Sequence, residues 1–337
     1  MERPTQGRIE AFSNLLLFIR HNLKPETLRK LHVRKGDNMR IFGGRAHTSF
    51  SAVRALMAEE NEKIDWFAGP LDDRADYLTK SYVPFLGEGP NHTLRRREII
   101  GGVARAHAQL ADLEDLLAKE KDHERALARF LYRHFAKIEL TDADVDAHLD
   151  FRENARVLTL LPLWFRKTLL RGKHAKVKTF RTAMLKRMDA AGVSIADSWF
   201  DVIWFNSGTL GFYPEKAIET LKERKDLQPV IFAEVDLPAG QRPKTRALIH
   251  EMLRIYTKIP STNYVKNGDQ VEIAVIATAS VDPEKYPDPY KVDLDRDHSD
   301  AIGFSGVSQN RGCPGEKFAP DAMASVVIDK IRKGALA

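Results

Sequence analysis

Apolar residues recur every third or fourth position through most of the chain, the period of a helix with one buried face. Residues 10 to 22 and 48 to 62 follow it and are predicted as amphipathic helices on either side of a short strand candidate, NMRIFGG (38 to 44). The period persists from Thr93 to about Ile138, with predicted interruptions at Gly101–Gly102 and in KEKDHE (119 to 124). TDADVDAHL offers Thr141 as an N-cap followed by acids in a first turn, where they suit the positive end of a helix dipole. Residues 151 to 193 predict two more helices separated by RGKH (171 to 174), and 194 to 225 another, centred on WFDVIWFNSGTLGFYPEKAIETL. Beyond Pro243, RALIHEMLRIYTKI puts Leu248, Met252, Leu253, Ile255 and Ile259 at helical spacing. The period then drops to two: YVKNGDQVEIAVIATAS (264 to 280) alternates around Asn267–Gly268, a hairpin-type turn signal. A turn-rich meander, VDPEKYPDPYKVDLDRDHSDAIGFSG, leads to SQNRGCPGEKFA (308 to 319) and a last helix ending near Arg332. The prediction is a mainly α chain with a small β portion near the C-terminus, folded as a single domain over 1–337.

Composition adds limits to this outline. Lys and Arg number 53 against 47 Asp and Glu, a balance of +6 read as scattered among acids, which argues against a nucleic-acid partner. The short run TLRRRE (93 to 98) has no aromatic residue for stacking bases and reads mostly as a solvated helix face. Cys313 is the only cysteine, so there is no internal disulfide framework, as suits a reducing compartment. The apolar run LLLF in FSNLLLFIRHNL is far below the roughly 20 residues that cross a bilayer, so no transmembrane anchor is expected. With no secretory signal pattern, the expectation is a soluble, cytoplasmic protein.

The lone cysteine stands among glycine and proline just before a predicted helix, where backbone N–H groups and the helix dipole favour the thiolate. A nucleophile would want a base in a recognisable local pattern, and zinc or an iron–sulfur cluster would want more cysteines. A single thiolate is enough to ligate haem iron, and the plain alternative is a small buried side chain with no chemistry. Upstream, Glu251 and Arg254 are three apart and share a helix face, a spacing that by itself signifies only an ordinary pair.

The order of these pieces is specific. An E-x-x-R helix, a hairpin, DPEKYPDPYKVDLDR and then Cys-x-Gly before a helix resembles the C-terminal half of the cytochrome P-450 superfamily, the haem-thiolate enzymes. The resemblance covers 245 to 335 best, then 60 to 100 and 195 to 215, and elsewhere rests on helix order. It implies a P-450 fold, reduced at the N-terminal end because the chain is shorter than usual there, and a haem b with Cys313 as axial ligand. It implies further that Arg311 and Arg96 bind haem propionates, with His92 in PNHTLRRREII beside them. Phe304 and Gly315 belong to the ligand loop (304–316), and Glu251, Arg254 and Arg296 form a structural network. Two departures matter. Phe304 and Gly306 lie further from Cys313 than the family's loop spacing, with SQN intervening, and Pro320 is unexpected unless it marks the first turn of the last helix.

The central helix narrows the reading. The family's oxygen-activating members carry an acid and a threonine there to deliver protons, whereas WFNSGTLGFYP has no carboxylate before Pro214, and Thr209 directly follows Gly208. FNSGTLGFYP (205 to 214) is similar to the Phe-Asn-x-x-Gly-Gly helix of the allene oxide synthase and hydroperoxide lyase branch, which rearranges fatty-acid hydroperoxides without O2 or a reductase. Asn310, Arg311, Cys313, Gly315 and Glu316 fit that branch's cysteine segment, and DWFAGP (65 to 70) resembles its Asp-x-Phe/Leu-x-Gly loop, with Phe67 pointing to the synthase type. Peroxide-using fatty-acid hydroxylases share Cys-Pro-Gly-Glu, but no Arg precedes Pro214 as their pattern requires. The resemblance implies Asn206 and Phe67 as catalytic residues, Asn206 orienting the hydroperoxide and Phe67 shaping the pocket. The plainer readings are an Asn206 bonded within its own helix and a Phe67 packed in the core. Two other functions remain: a monooxygenase or peroxygenase for another small metabolite, and a non-catalytic haem-binding or haem-free protein. The implied partner is a small apolar or lipid-like substrate; a redox partner is unnecessary with a hydroperoxide, and a ferredoxin or reductase is needed for a monooxygenase.

Overall fold

The computed structural model describes residues 39–41, 44–59, 62–64, 89–159, 168–257, 262–266, 270–304 and 312–336. In chain order the elements are β1 (Met39–Ile41), β2 (Gly44–His47), α1 (Phe50–Ala58), β3 (Glu62–Ile64), α2 (Gly89–His107), α3 (Leu110–Lys119), α4 (His123–Ala136), α5 (Asp142–Thr159), α6 (Arg171–Ala190), α7 (Ala196–Glu223), α8 (Gln228–Phe232), α9 (Pro243–Ile255), β4 (Thr262–Lys266), β5 (Gln270–Ala274), α10 (Ile276–Ala279) and α11 (Phe318–Arg332). The predicted class, mainly α with a small β portion, is the observed one. The predicted helix at 10 to 22, the loop DWFAGP with Phe67, the turn Asn267–Gly268 and residues 305–311 with Asn310 and Arg311 lie outside the described residues.

Packing divides the chain into two compact units, residues 1–66 with 250–313, and residues 67–249 with 314–337. The first unit holds one five-stranded sheet in the order β1-β2-β5-β4-β3. β4 and β5 form the antiparallel hairpin the sequence predicts, with Tyr264 opposite Glu272, while β2 runs parallel to β5 with Ala46 opposite Ile273. The sheet therefore draws three strands from the N-terminal part, including β3, which the predicted helix over 48 to 62 concealed. That helix, α1, stops at Ala58 and is fixed at its start twice over. Ser49 Oγ accepts from Ala52 N at 3.3 Å, and the buried Asp282 carboxylate accepts from Phe50 N at 2.7 Å, placing negative charge at the positive end of the dipole. α1 buries Phe50, Val53, Leu56 and Met57 against Ala274, Ile276, Tyr286 and Ile302.

The second unit is a helical assembly in which α4 packs against α3 and α7, and α11 packs against α3 and α7. α5 begins at the predicted cap: Thr141 Oγ1 accepts from Asp144 N at 3.2 Å, and Asp144 Oδ2 accepts from Thr141 N at 2.9 Å, a reciprocal capping box. One predicted break is absent and another is displaced: α2 runs unbroken through Gly101–Gly102, and RGKH (171 to 174), expected to separate two helices, is the first turn of α6, with α5 ending already at Thr159. Gly102 is there for space: a Cβ on it would lie 2.4 Å from Cη2 of the buried Trp199 of α7. Trp199 in turn stacks on Phe135 of α4 with centroids 4.9 Å apart, so the indole cannot retreat. Gly102→Ala is expected to cost about 1–3 kcal/mol by overpacking. In a Trp199→Phe background, which lacks the clashing atoms, the same change should turn neutral or stabilising because alanine favours a helix by about 1 kcal/mol over glycine. Urea denaturation of the four proteins of this cycle measures it, and an equal cost in both backgrounds would refute the packing account.

Candidate functional site

Within the first unit, Glu251 on α9 is fully buried, and every bond to its carboxylate is charge-assisted or comes from the backbone. Arg254 grips it in bidentate fashion (Nε to Oε1 2.9 Å, Nη2 to Oε2 2.8 Å), Arg296 Nε reaches Oε1 at 3.1 Å, and Asp293 N donates to Oε2 at 3.1 Å. Arg254 Nη1 and Nη2 also donate to the carbonyls of Ser280 (3.3 Å) and Lys291 (3.4 Å). Both guanidinium groups lie over Tyr286, at 4.9 and 5.4 Å from its ring centroid, and burial pushes the Tyr286 hydroxyl up to about 12. His298, whose pKa is lowered by burial, approaches Glu251 Oε1 at 3.6 Å and stacks on His250. Residues 280 to 298 are turn-rich and bury few apolar side chains of their own, so this cluster is what fastens the meander to α9.

Cys313 is half-buried and in no disulfide, at the end of this unit. Beyond it come a turn at 314–317, closed by Ala319 N to Gly315 O at 2.7 Å, and then α11. The start of α11 carries no side-chain cap on Lys317, and Pro320 occupies its first turn, where a missing N–H costs nothing. Among the described residues no three His, Cys, Asp or Glu side chains converge as a metal site. Phe304 ends a short 3-10 turn (Ile302–Phe304), its side chain outside the described residues.

In the second unit, Arg96 and His92 lie on α2; Arg96 is half-buried and engaged, and the His92 side chain lies outside the described residues. The adjacent Arg95 holds α2 to the start of α7 through Asp197 Oδ1 (2.8 Å) and Ser198 Oγ (2.6 Å), so TLRRRE is not simply a solvated face. Between Asp201 and Pro214 the partly accessible positions of α7 are Phe205, Asn206, Gly208, Thr209 and Phe212, and beyond Pro214 the same face continues as Glu215, Lys216 and Glu219. Asn206 Nδ2 donates to Val202 O at 2.7 Å and Thr209 Oγ1 to Phe205 O at 3.3 Å, so both side chains take up backbone carbonyls of their own helix. No carboxylate stands on this face between Phe205 and Pro214; Glu215 and Glu219 follow after the proline. Asp201, which the sequence reading did not weigh, is buried five residues before Asn206, about 140° around the helix, and its charge acts on Arg181 of α6.

A second buried polar group also escaped the sequence reading. His148 of α5 accepts from Tyr132 of α4 (Oη to Nδ1 3.3 Å) and donates through Nε2 to Ser207 Oγ (3.2 Å), whose hydroxyl donates to Trp204 O at 3.0 Å. This chain ties three helices together directly behind Asn206, with His148 neutral: burial, with the Arg152 charge adding, pushes its pKa down to about 3. Unfolding returns His148 to its ordinary value near 6.5, so between pH 6.5 and 3 the unfolded chain binds the extra proton and stability falls as the pH falls. From pH 7 to pH 5 the native protein should lose about 2 kcal/mol more than His148→Gln in urea titrations. Equal pH dependence of the two would refute the assignment.

No protein-family model matches the chain, and no curated protein sequence matches it. Solved structures do. The chain is similar to a zebrafish cytochrome P450 determined with abiraterone (TM-score 0.71, 13% identity, 91% of each chain covered). It is similar also to the epothilone D-bound cytochrome P450epoK (TM-score 0.66, 15% identity, 93% of this chain and 90% of the other) and to a mutant of cytochrome P450SP alpha (TM-score 0.65, 13% identity, 92% and 89%).

Proposed function

We propose that this chain, which has the cytochrome P450 fold, is a haem-thiolate enzyme that rearranges or cleaves a fatty-acid hydroperoxide in an allene-oxide-synthase-like reaction needing neither O2 nor a reductase. The observation that carries the choice of reaction is the accessible stretch of α7 from Phe205 to Phe212, just before Pro214: Phe205, Asn206, Gly208, Thr209 and Phe212 are all uncharged. In this reading residues 1–337 form one haem-thiolate domain. Haem b would be held by the Cys313 thiolate, with Arg311, Arg96 and His92 at the propionates and Phe304 and Gly315 shaping the loop. Bound haem with a thiolate ligand supplies one-electron cleavage of an O–O bond.

The chain's own residues would do the rest. Asn206 has committed its Nδ2 donor to Val202 O, which leaves Oδ1 to accept the hydroperoxide O–H and orient it. An amide oxygen holds that proton without donating a second one, and no carboxylate stands between Phe205 and Phe212 to assist loss of water toward hydroxylation. Phe205 and Phe212 give the lipid chain an apolar face, and Phe67 would shape the pocket around the rearranging carbons. Among the described residues no helix is long and apolar enough to cross a membrane, so the reading requires no transmembrane anchor.

Asp201 favours a second reading, a monooxygenase or peroxygenase, in which that buried carboxylate would deliver protons and a ferredoxin or reductase would supply electrons. The two separate on one experiment: a fatty-acid hydroperoxide is added to the haem-loaded protein anaerobically, without reductant. Stoichiometric conversion to rearranged or cleaved product is expected. Turnover only with O2 and an electron donor would overturn the first reading in favour of the second, and haem uptake with no turnover under either condition would leave a non-catalytic haem-binding protein.

A further inference from the structure

We propose that the outer face of α6 docks on an anionic lipid surface. α6 carries seven Lys and Arg and one acid, Asp189, so its +6 equals the +6 of the whole chain and the remaining residues are neutral on balance. Among the helices α6 thus stands out, with seven cations to one acid along 20 residues.

The helix gains nothing by this for itself. Arg171 and Lys173 occupy the first turn, against the positive end of the dipole, where there is no acid. Lys173 and Lys176 are like charges at i,i+3 and repel each other. Arg171, Lys173, Lys176 and Lys186 are exposed and make no ion pair among the described residues, whereas Arg187 is already engaged by Asp144 at 2.7 Å. An anionic partner outside the chain accounts for that arrangement. His174, Val177, Met184 and Met188 turn inward, leaving Gly172, Ala175, Thr179, Thr182 and Ala183 on the outside. Small residues there let a plane of headgroups approach the backbone while the flanking lysines and arginine reach the phosphates. Immediately before the helix, Leu169 is 67% exposed, which suits the acyl boundary. Nucleic acid fits less well, because the only aromatic residue on α6, Phe180, is half-buried against Phe151 with centroids 5.2 Å apart and cannot stack on a base.

The proposal stands apart from the haem reading and is tested without turnover. The full-length protein is sedimented with vesicles of phosphatidylcholine alone or with about a third phosphatidylserine, at roughly 0.1 M and 0.5 M salt. Binding to the anionic vesicles only, released by salt, is expected. The combined variant Arg171→Gln, Lys173→Gln, Lys176→Gln, Lys186→Gln should lower partitioning by roughly a few hundredfold, about fivefold per cation, with circular dichroism unchanged. Should that variant misfold, Lys176→Glu and Lys186→Glu made singly should each lower binding by about tenfold or more. Equal binding to neutral vesicles, no binding to either kind, variants that bind like the parent, or preference for an oligonucleotide over the anionic vesicles would overturn it.

Discussion

Cys313→Ser is expected to leave the chain folded and to remove both the spectroscopic signature of a thiolate ligand and all turnover. Serine matches cysteine in shape, and Cys313 is half-buried in a turn, so the substitution costs little in packing. What it removes is the polarizable sulfur that can ionise to a ligand, since a serine hydroxyl does not ionise near neutral pH. In the haem-loaded parent, the reduced carbon monoxide adduct should show the red-shifted Soret band of thiolate ligation; in the serine variant that band should be absent and hydroperoxide consumption should fall to the uncatalysed background. Cys313→His separates ligation from reactivity: it can hold iron through nitrogen, so haem content should recover while the red-shifted band does not. An unchanged spectrum in Cys313→Ser would end the haem-thiolate reading.

Glu251→Ala should be the most damaging substitution to stability. It deletes a fully buried carboxylate and leaves Arg254 and Arg296 facing each other across Tyr286 with no counter-charge, and leaves the N–H of Asp293 without an acceptor. Breaking such a pair by removing one partner costs about 3–5 kcal/mol, a large share of the roughly 5–15 kcal/mol that holds a typical protein together. Loss of soluble expression, or a denaturation midpoint lowered by that amount, is the expected result; a change under about 1 kcal/mol would mean the meander is fastened by something else. Arg254→Lys should fall between, because an ammonium group cannot reproduce the bidentate grip or reach the two meander carbonyls at once.

Much of this architecture is legible in the sequence because it is local. The helices α3 to α7, α9 and α11 follow from apolar period and caps, as with the Thr141–Asp144 box, and the β4–β5 hairpin from alternation around Asn267–Gly268, whereas the short α8 and α10 do not, α10 taking up the end of the alternating stretch. The pairing of Glu251 with Arg254 follows from their spacing along one helix face. What stays hidden depends on neighbours distant in sequence. Gly101–Gly102 reads as a break because glycine disfavours helices, yet at Gly102 its missing side chain admits Trp199 from nearly a hundred residues away. The chain from Tyr132 through His148 to Ser207 takes one residue from each of three helices, and only the oddity of a histidine on the apolar stripe of α5 hints at it. β3 is three residues long, too short for alternation to register. The charge of α6 was countable, but averaging over the whole chain diluted it.

The parallel pairing of β2 with β5 has a consequence for biosynthesis. His47 and its partner Glu272 are separated by 225 residues, so the ribosome must add all of them before the bond can form. At about 5–20 residues per second the edge of β2 that faces β5 waits roughly 10–45 s without its partner strand, while the intervening helices are already free to collapse. The earliest part of the chain to be made is thus among the last to find its place, and during that wait it is a natural client for a holding chaperone.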